Sequence, residues 1–206
     1  RSLAVDLKVN HPSTVPADGR PYRISVLEKT LKAEVDRYAA PKLSPQLFLR
    51  ARTSNETGVL LLAGPADIFR SSGYVGTITL KELAAGEPIH LSLGPAGPLT
   101  VSRVFDMERN RTVEKTGSRK KVHFVYDIEV HNFGEKTYEV TVSDHVPVSR
   151  VAKVKVDVSE KTTAGFTTDK DESIYSWKLA LKPGEKKRVH LAYIVDLPKD
   201  YSWQGF

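Results

Sequence analysis

The feature that most restricts this 206-residue chain is a repeated alternation of apolar and polar side chains with period two. Leu3, Val5, Leu7 and Val9 alternate with Ala4, Asp6, Lys8 and Asn10, so a strand there would carry one apolar face. The same pattern returns in Val122, Phe124, Tyr126, Ile128 and Val130, then in Val154, Val156 and Val158. Late in the chain it runs through Tyr175, Trp177, Leu179 and Leu181, and again through Val189, Leu191, Tyr193 and Val195. These runs are rich in β-branched and aromatic residues, which fit a pleated, half-buried surface. Between them stand turn formers: Ala17-Asp18-Gly19, Asn132-Phe133-Gly134 and Lys182-Pro183-Gly184-Glu185. The pattern predicts an all-β protein built as antiparallel sandwiches.

One segment fits two templates. Leu27, Leu31, Val35 and Tyr38 recur as on one face of a helix, with Glu, Lys and Ala between them. Yet Leu31, Ala33 and Val35 also alternate, and Arg20–Val26 before them reads as a strand. Local pattern does not decide between the two. The segment Gly94-Pro95-Ala96-Gly97-Pro98 combines fixed φ angles, flexible glycines and missing donors, and is the expected boundary. It divides residues 1–95, with six to eight possible strands, from residues 99–206, with six or seven. Each half is large enough for a sandwich, the second the size of an immunoglobulin-like domain. No long linker separates them, so the expected arrangement is two tandem immunoglobulin-like or related sandwiches packed together.

With no Cys, the chain has no disulfides, thiol nucleophiles, zinc-thiolate sites or iron–sulfur clusters. No run approaches the roughly 20 apolar residues of a membrane helix. Because it starts at Arg1 without Met or a signal-like run, we expect it to be a piece of a longer protein. The net charge of +6 is unevenly spread. Arg103–Lys121 holds seven basic residues against Asp106, Glu108 and Glu114. That stretch reads as a β-ribbon with a polar tip at Thr116-Gly117-Ser118. Its residues Arg109, Arg111, Lys115, Arg119, Lys120 and Lys121 are the candidate contacts to an anionic glycan, lipid headgroup or nucleic acid. Between Glu108 and Lys121 there is no aromatic residue to stack on bases, which argues against nucleic acid. The alternative is a solvated hairpin whose charges protect a strand edge.

Catalytic patterns are missing from the local sequence. The six His residues (His11, His90, His123, His131, His145 and His190) form no His-x-His or His-x3-His pair, and read as structural or surface residues. There is no Gly-x-Ser-x-Gly elbow and no phosphate-binding glycine loop. Asp127 and Glu129 share a strand face, and Asp169, Asp171 and Glu172 cluster in a loop without the regular spacing of calcium ligands. The sequons at Asn55 and Asn110 matter only in a eukaryotic secretory host. The aromatic tail Tyr201–Phe206 is expected to dock on the body of the protein. No catalytic, metal or cofactor residue is assigned, and no cofactor is expected.

Several punctuated segments nevertheless occur in a recognisable order. They are Ala17-Asp18-Gly19-Arg20-Pro21-Tyr22-Arg23, Ala40-Pro41-Lys42-Leu43-Ser44-Pro45, Phe48-Leu49-Arg50-Ala51, and Leu61–Arg70 followed by Tyr74-Val75-Gly76. Later come Asp144-His145-Val146-Pro147-Val148-Ser149, Trp177-x-Leu179-x-Leu181-x-Pro183-Gly184-Glu185, and Tyr193-x-Val195-x-x-Pro198. In these the chain resembles the C-terminal domain of unknown function of mucoidy inhibitor A-like proteins, with Ala17 where that family has Ser and Ala63 where it more often has Pro. The resemblance implies strands at Leu27–Ala39, an N-terminal domain and a coiled coil before this chain, and a cell-envelope or extracytoplasmic setting. It brings no catalytic residue. Trp177 and Tyr193 are expected as inward anchors, Pro147 as a strand end, and Asp144 and Ser149 as residues that bracket a loop. The reading at this point is a non-catalytic envelope or surface module, used for assembly or ligand recognition with an unknown protein or glycan partner. Anionic-polymer binding through residues 103–121 is the alternative, and a hydrolase whose site forms only in three dimensions is the second alternative.

Overall fold

A computed structural model describes residues 14–71, 73–109 and 113–201. The alternating run Leu3–Val9, His11, Asn110, Arg111 and the tail beyond Tyr201 lie outside the described residues. The described chain is all β, with thirteen strands and no α-helix. Five strands precede Gly97: β1 (Glu34–Ala39), β2 (Leu47–Ser54), β3 (Gly64–Arg70), β4 (Gly73–Leu80) and β5 (Pro88–Pro95). Eight follow it: β6 (Leu99–Phe105), β7 (Val113–Thr116), β8 (Arg119–Asn132), β9 (Tyr138–His145), β10 (Lys155–Val158), β11 (Thr167–Asp169), β12 (Ile174–Leu181) and β13 (Lys186–Pro198). They form a six-stranded sheet in the order β11-β12-β9-β1-β2-β5, a second sheet β10-β13-β8-β6 with β7 paired to β8, and the hairpin β3-β4.

Two compact units emerge. One comprises the described parts of Arg1–Glu34 together with Ala51–Leu91; the other comprises Val35–Arg50 and Ser92–Phe206. This partition differs from a cut at Gly94–Pro98, because Val35–Arg50, early in the chain, supplies most of β1 and half of β2 to the second unit. Gly94 and Pro95 themselves complete β5, and the Ala96 N–H donates to the Leu47 carbonyl (3.0 Å).

The second unit holds the larger core. Inward side chains of β8 (Phe124, Tyr126, Ile128, Val130) and β13 (Val189, Leu191, Tyr193, Val195, Leu197) pack against Val140, Val142, Trp177 and Leu181 of β9 and β12. The alternation read from the sequence is therefore the inside–outside alternation of these strands. Burying each large apolar side chain contributes about 1.5–3 kcal/mol. Trp177 and Tyr193 are inward anchors, 2 % and 5 % exposed. The Trp177 indole N–H donates to the Thr163 carbonyl (2.8 Å). Thr163 in turn is hydrogen-bonded to His190 of β13, so the indole ties the two sheets together. At the end of β8 the buried Asn132 donates to the carbonyls of Lys136, Leu181 and Lys182 and accepts from the Gly134 N–H.

In the first unit the hairpin β3-β4 is joined by a register shift at Ile68/Phe69. The buried Asn55 plays the part there that Asn132 plays in the second unit. It donates to the carbonyls of Val59, Leu83 and Ala84 and accepts from the N–H and hydroxyl of Thr57. That sequon is thus a turn organiser with its amide fully engaged.

Two expectations need correction. Leu27–Ala39 forms no helix, but it is a strand only over Glu34–Ala39. Arg20–Val26 is not a strand: its side chains Tyr22, Ile24 and Val26 are exposed, and it has no ladder partner among the described residues. Alternation alone does not make a strand where no neighbour takes up the backbone groups.

Candidate functional site

Of the ribbon expected over Arg103–Lys121, residues 113–121 form a hairpin, β7 and the start of β8, with its turn at Gly117-Ser118, while Arg103 lies in β6. Pairing sets Lys115 opposite Lys120, Glu114 opposite Lys121, and Thr116 opposite Arg119. Alternation therefore divides the cations between two faces, Lys115 and Lys120 on one, Arg119 and Lys121 on the other. Several are engaged within the protein. Arg119 donates through Nε to Asp196 (2.7 Å) and through Nη2 to the carbonyls of Lys153 and Asp196. Lys120 donates to the Lys199 carbonyl (3.1 Å). Arg109 pairs with Asp106 (3.1 Å) and reaches Asp127 (3.6 Å). Arg111 is outside the described residues.

Three of the acidic candidates, Asp127, Glu129 and Asp169, are likewise engaged. Asp127 is bonded to the His190 ring (2.6 Å), and Glu129 pairs with Arg188 (2.8 Å), which holds its carboxyl below the usual range. Asp169 accepts the backbone N–H groups of Asp171 and Glu172 in a turn. Among the described residues no group of three His, Asp or Glu is placed to hold a metal ion.

A different place brings chemistry together. β1 and β9 run parallel, Arg37 beside Val140 and Ala39 beside Val142, so their C-terminal ends lie next to each other. The segments leaving those ends are Ala40–Pro45 and Val146–Ser149, which with Asp144 and His145 belong to the resemblance noted above. Beside the ends of β1 and β9, between Ala40–Leu43 and Ser143–His145, lies a cleft of about 420 Å³ in the second unit. It is lined by Tyr38, Lys42, Leu43, Ser143, His145 and Ile174, among others, with Glu172 and Asp144 also at its wall.

Each wall is held by identifiable interactions. The Arg50 guanidinium lies 3.8 Å from the centre of the Tyr38 ring and is gripped by both oxygens of Asp36 (3.2 and 2.8 Å). The buried Ser143 hydroxyl is 2.7 Å from that of Ser176 on the neighbouring strand. Asp144, one residue on, points to the opposite side of β9. Its carboxylate is fully buried and accepts from Arg103 Nε at 2.6 Å, while Arg103 lies 3.6 Å from the Tyr126 ring centre. This ion pair joins β9 of one sheet to β6 of the other. Beside it, burial and the hydrogen bond that it donates to Tyr126 hold the Tyr193 phenol far above its ordinary value, so it stays protonated. Asp144 also takes the backbone N–H of His145 (2.8 Å), and Ser149 takes that of Val151, which gives the loop the bracketing expected of it.

The His145 ring faces Lys42, Nδ1 to Nζ at 3.3 Å. An ammonium has only donors, so Nδ1 accepts and the ring is neutral with its proton on Nε2. Burial, then the Lys42 charge, push the His145 pKa below its ordinary 6.5, against a smaller opposing effect of Asp144. From the sequence alone His145 reads as a structural or surface residue, and Lys42 has no assigned role. Only the parallel pairing of strands a hundred residues apart brings the two together.

Residues 1–199 match the family described as a domain of unknown function, DUF4139. The chain belongs to that family. It is also similar to protein F37C4.5 of Caenorhabditis elegans, with 21% identity over 213 residues. That alignment covers 96% of this chain and 37% of the nematode protein, so the chain spans little more than a third of its relative's length. No helix among the described residues of the DUF4139 chain is long and apolar enough to cross a membrane.

Proposed function

We propose that this DUF4139 chain is a non-catalytic recognition module of a larger protein and that it takes its ligand in the cleft at the ends of β1 and β9. The observation that carries this reading is the cleft's composition: an apolar lining of Leu43, Ile174 and the Tyr38 ring, with few polar groups brought in from separate segments. Ser143, Asp144 and His145 are the three residue types of a hydrolytic triad, but their arrangement does not support one. Strand alternation turns the Asp144 carboxylate into the core, the Ser143 hydroxyl bonds Ser176, and the His145 Nδ1 faces Lys42. The finer fold reading, an immunoglobulin-like sandwich in tandem with a second one, and the envelope setting implied by the mucoidy inhibitor A-like resemblance belong to the same proposal. The test is a small-molecule screen followed through backbone amide resonances. A ligand that perturbs Leu43, His145 and Ile174, and is lost in Leu43→Asp, supports recognition. Turnover of an ester, glycoside or phosphate substrate that disappears in Ser143→Ala overturns it.

One observation favours a second reading, an anionic polymer bound through the ribbon. Lys115 and Lys120 sit directly opposite each other, a like-charge pairing that costs stability unless a counter-charge joins it. Charge reversal of Arg111, Lys115 and Lys120 together should abolish salt-sensitive binding to dextran sulfate; absence of such binding at low salt removes this reading.

A further inference from the structure

Resting on the recognition reading, we propose that the cleft takes a small ligand with an anionic oxygen headgroup on an apolar body, the headgroup toward Lys42 and His145 and the body against Leu43, Ile174 and Tyr38. The charges around it point this way. The Lys42 ammonium and the imidazole stand 3.3 Å apart, each bearing N–H donors. Of the two carboxylates at the wall, Asp144 is fully buried and neutralised by Arg103, and only the exposed Glu172 carries uncompensated negative charge. Behind Tyr38 the Arg50–Asp36 pair adds no net charge. The remaining lining is apolar, so the cleft offers one polar end and one greasy end. A cavity of about 420 Å³ lies within the size range of small-molecule sites. A charge-assisted hydrogen bond is worth about 1.5–3 kcal/mol, so loss of the ammonium should weaken binding by about tenfold or more.

The experiment titrates hexanesulfonate, hexanoate, hexanol and hexylammonium into the whole chain and follows the amides of Leu43, Ser143, His145 and Ile174. Both anions should perturb these amides and compete with each other, while hexanol and hexylammonium bind more weakly. Lys42→Met should lose the preference for anions, Lys42→Arg should keep it, and Glu172→Gln should strengthen it. Both Lys42 and Glu172 are exposed, so these variants leave the core untouched. Comparison of hexanoate with N-acetyl-leucine then separates a free acid from a peptide C-terminus, and either preference satisfies the proposal. If hexanol or hexylammonium occupies the cleft as well as the anions do, the anionic chemistry is overturned and recognition by the cleft stands. If none of the four perturbs those amides, both are overturned.

Discussion

The ribbon of residues 103–121 and the cleft at the ends of β1 and β9 both present cations, and they differ in what surrounds those cations. On the ribbon, Arg119 and Lys120 are spent on Asp196 of the neighbouring strand β13, on its carbonyl and on the carbonyl of Lys199 just beyond that strand. In the cleft, a lysine and a histidine from distant segments are set side by side over an apolar lining; of the two carboxylates at its wall, Asp144 is turned into the core and Glu172 is exposed. A dense run of charge in sequence says little about binding, because strand pairing brings it counter-charges. Two isolated residues can make a site when topology joins them.

The largest test of this comparison is the ion pair that turns Asp144 away. Asp144 is fully buried and Arg103 nearly so, with side-chain exposures of 0% and 17%. Asp144→Ala leaves a guanidinium between the sheets without its carboxylate and should cost about 3–5 kcal/mol in urea unfolding. Replacing both partners, as Arg103→Met with Asp144→Leu, should return most of that stability, since an apolar pair of similar volume avoids the desolvation cost. A loss under about 1 kcal/mol for Asp144→Ala would mean that the pair does not clamp the cleft wall.

The pH response follows from His145. Its folded pKa lies below the ordinary 6.5 of the unfolded chain, because burial and Lys42 disfavour the imidazolium. The unfolded state therefore takes up this proton first as the pH falls. Stability from His145 is complete above about pH 6.5 and is lost as the pH drops through the folded value. His145→Gln should remove that part of the acid sensitivity, seen as a flatter dependence of the urea midpoint on pH below neutrality. An anion in the cleft should offset it, because the imidazolium then gains a partner. Acid sensitivity unchanged in His145→Gln would place the imidazole in an environment other than the one described.

How much of this was legible beforehand depended on whether the physics is local. The inward rows of β8, β12 and β13 were readable because alternation over eight or more residues marks one buried face. The turn at Gly117-Ser118 was readable because its residues act within their own loop. Arg20–Val26 reads wrongly because alternation is only a permission to pair, and among the described residues no strand pairs there. The β1–β9 contact left no local trace, because Tyr38 and Thr141 become neighbours only through parallel pairing across the sheet. Lys42 stood inside a segment that carried the family resemblance, yet a lysine between prolines gives no hint of a histidine 103 residues away.

The smallest effects separate two kinds of ribbon cation. Arg119 is 39% exposed and makes three hydrogen bonds, so Arg119→Ala should cost about 1 kcal/mol, an ion-pair value reduced by solvent. Lys115 is exposed and faces Lys120 across the ribbon, so Lys115→Gln should change stability by no more than about 0.5 kcal/mol, in the stabilising direction. Both are read from the urea midpoint at low and at high salt. Screening weakens repulsion and attraction alike, so salt should narrow both differences. If Lys115→Gln destabilises the chain instead, Lys115 has an attractive partner, and the ribbon would then resemble its Arg119 end throughout.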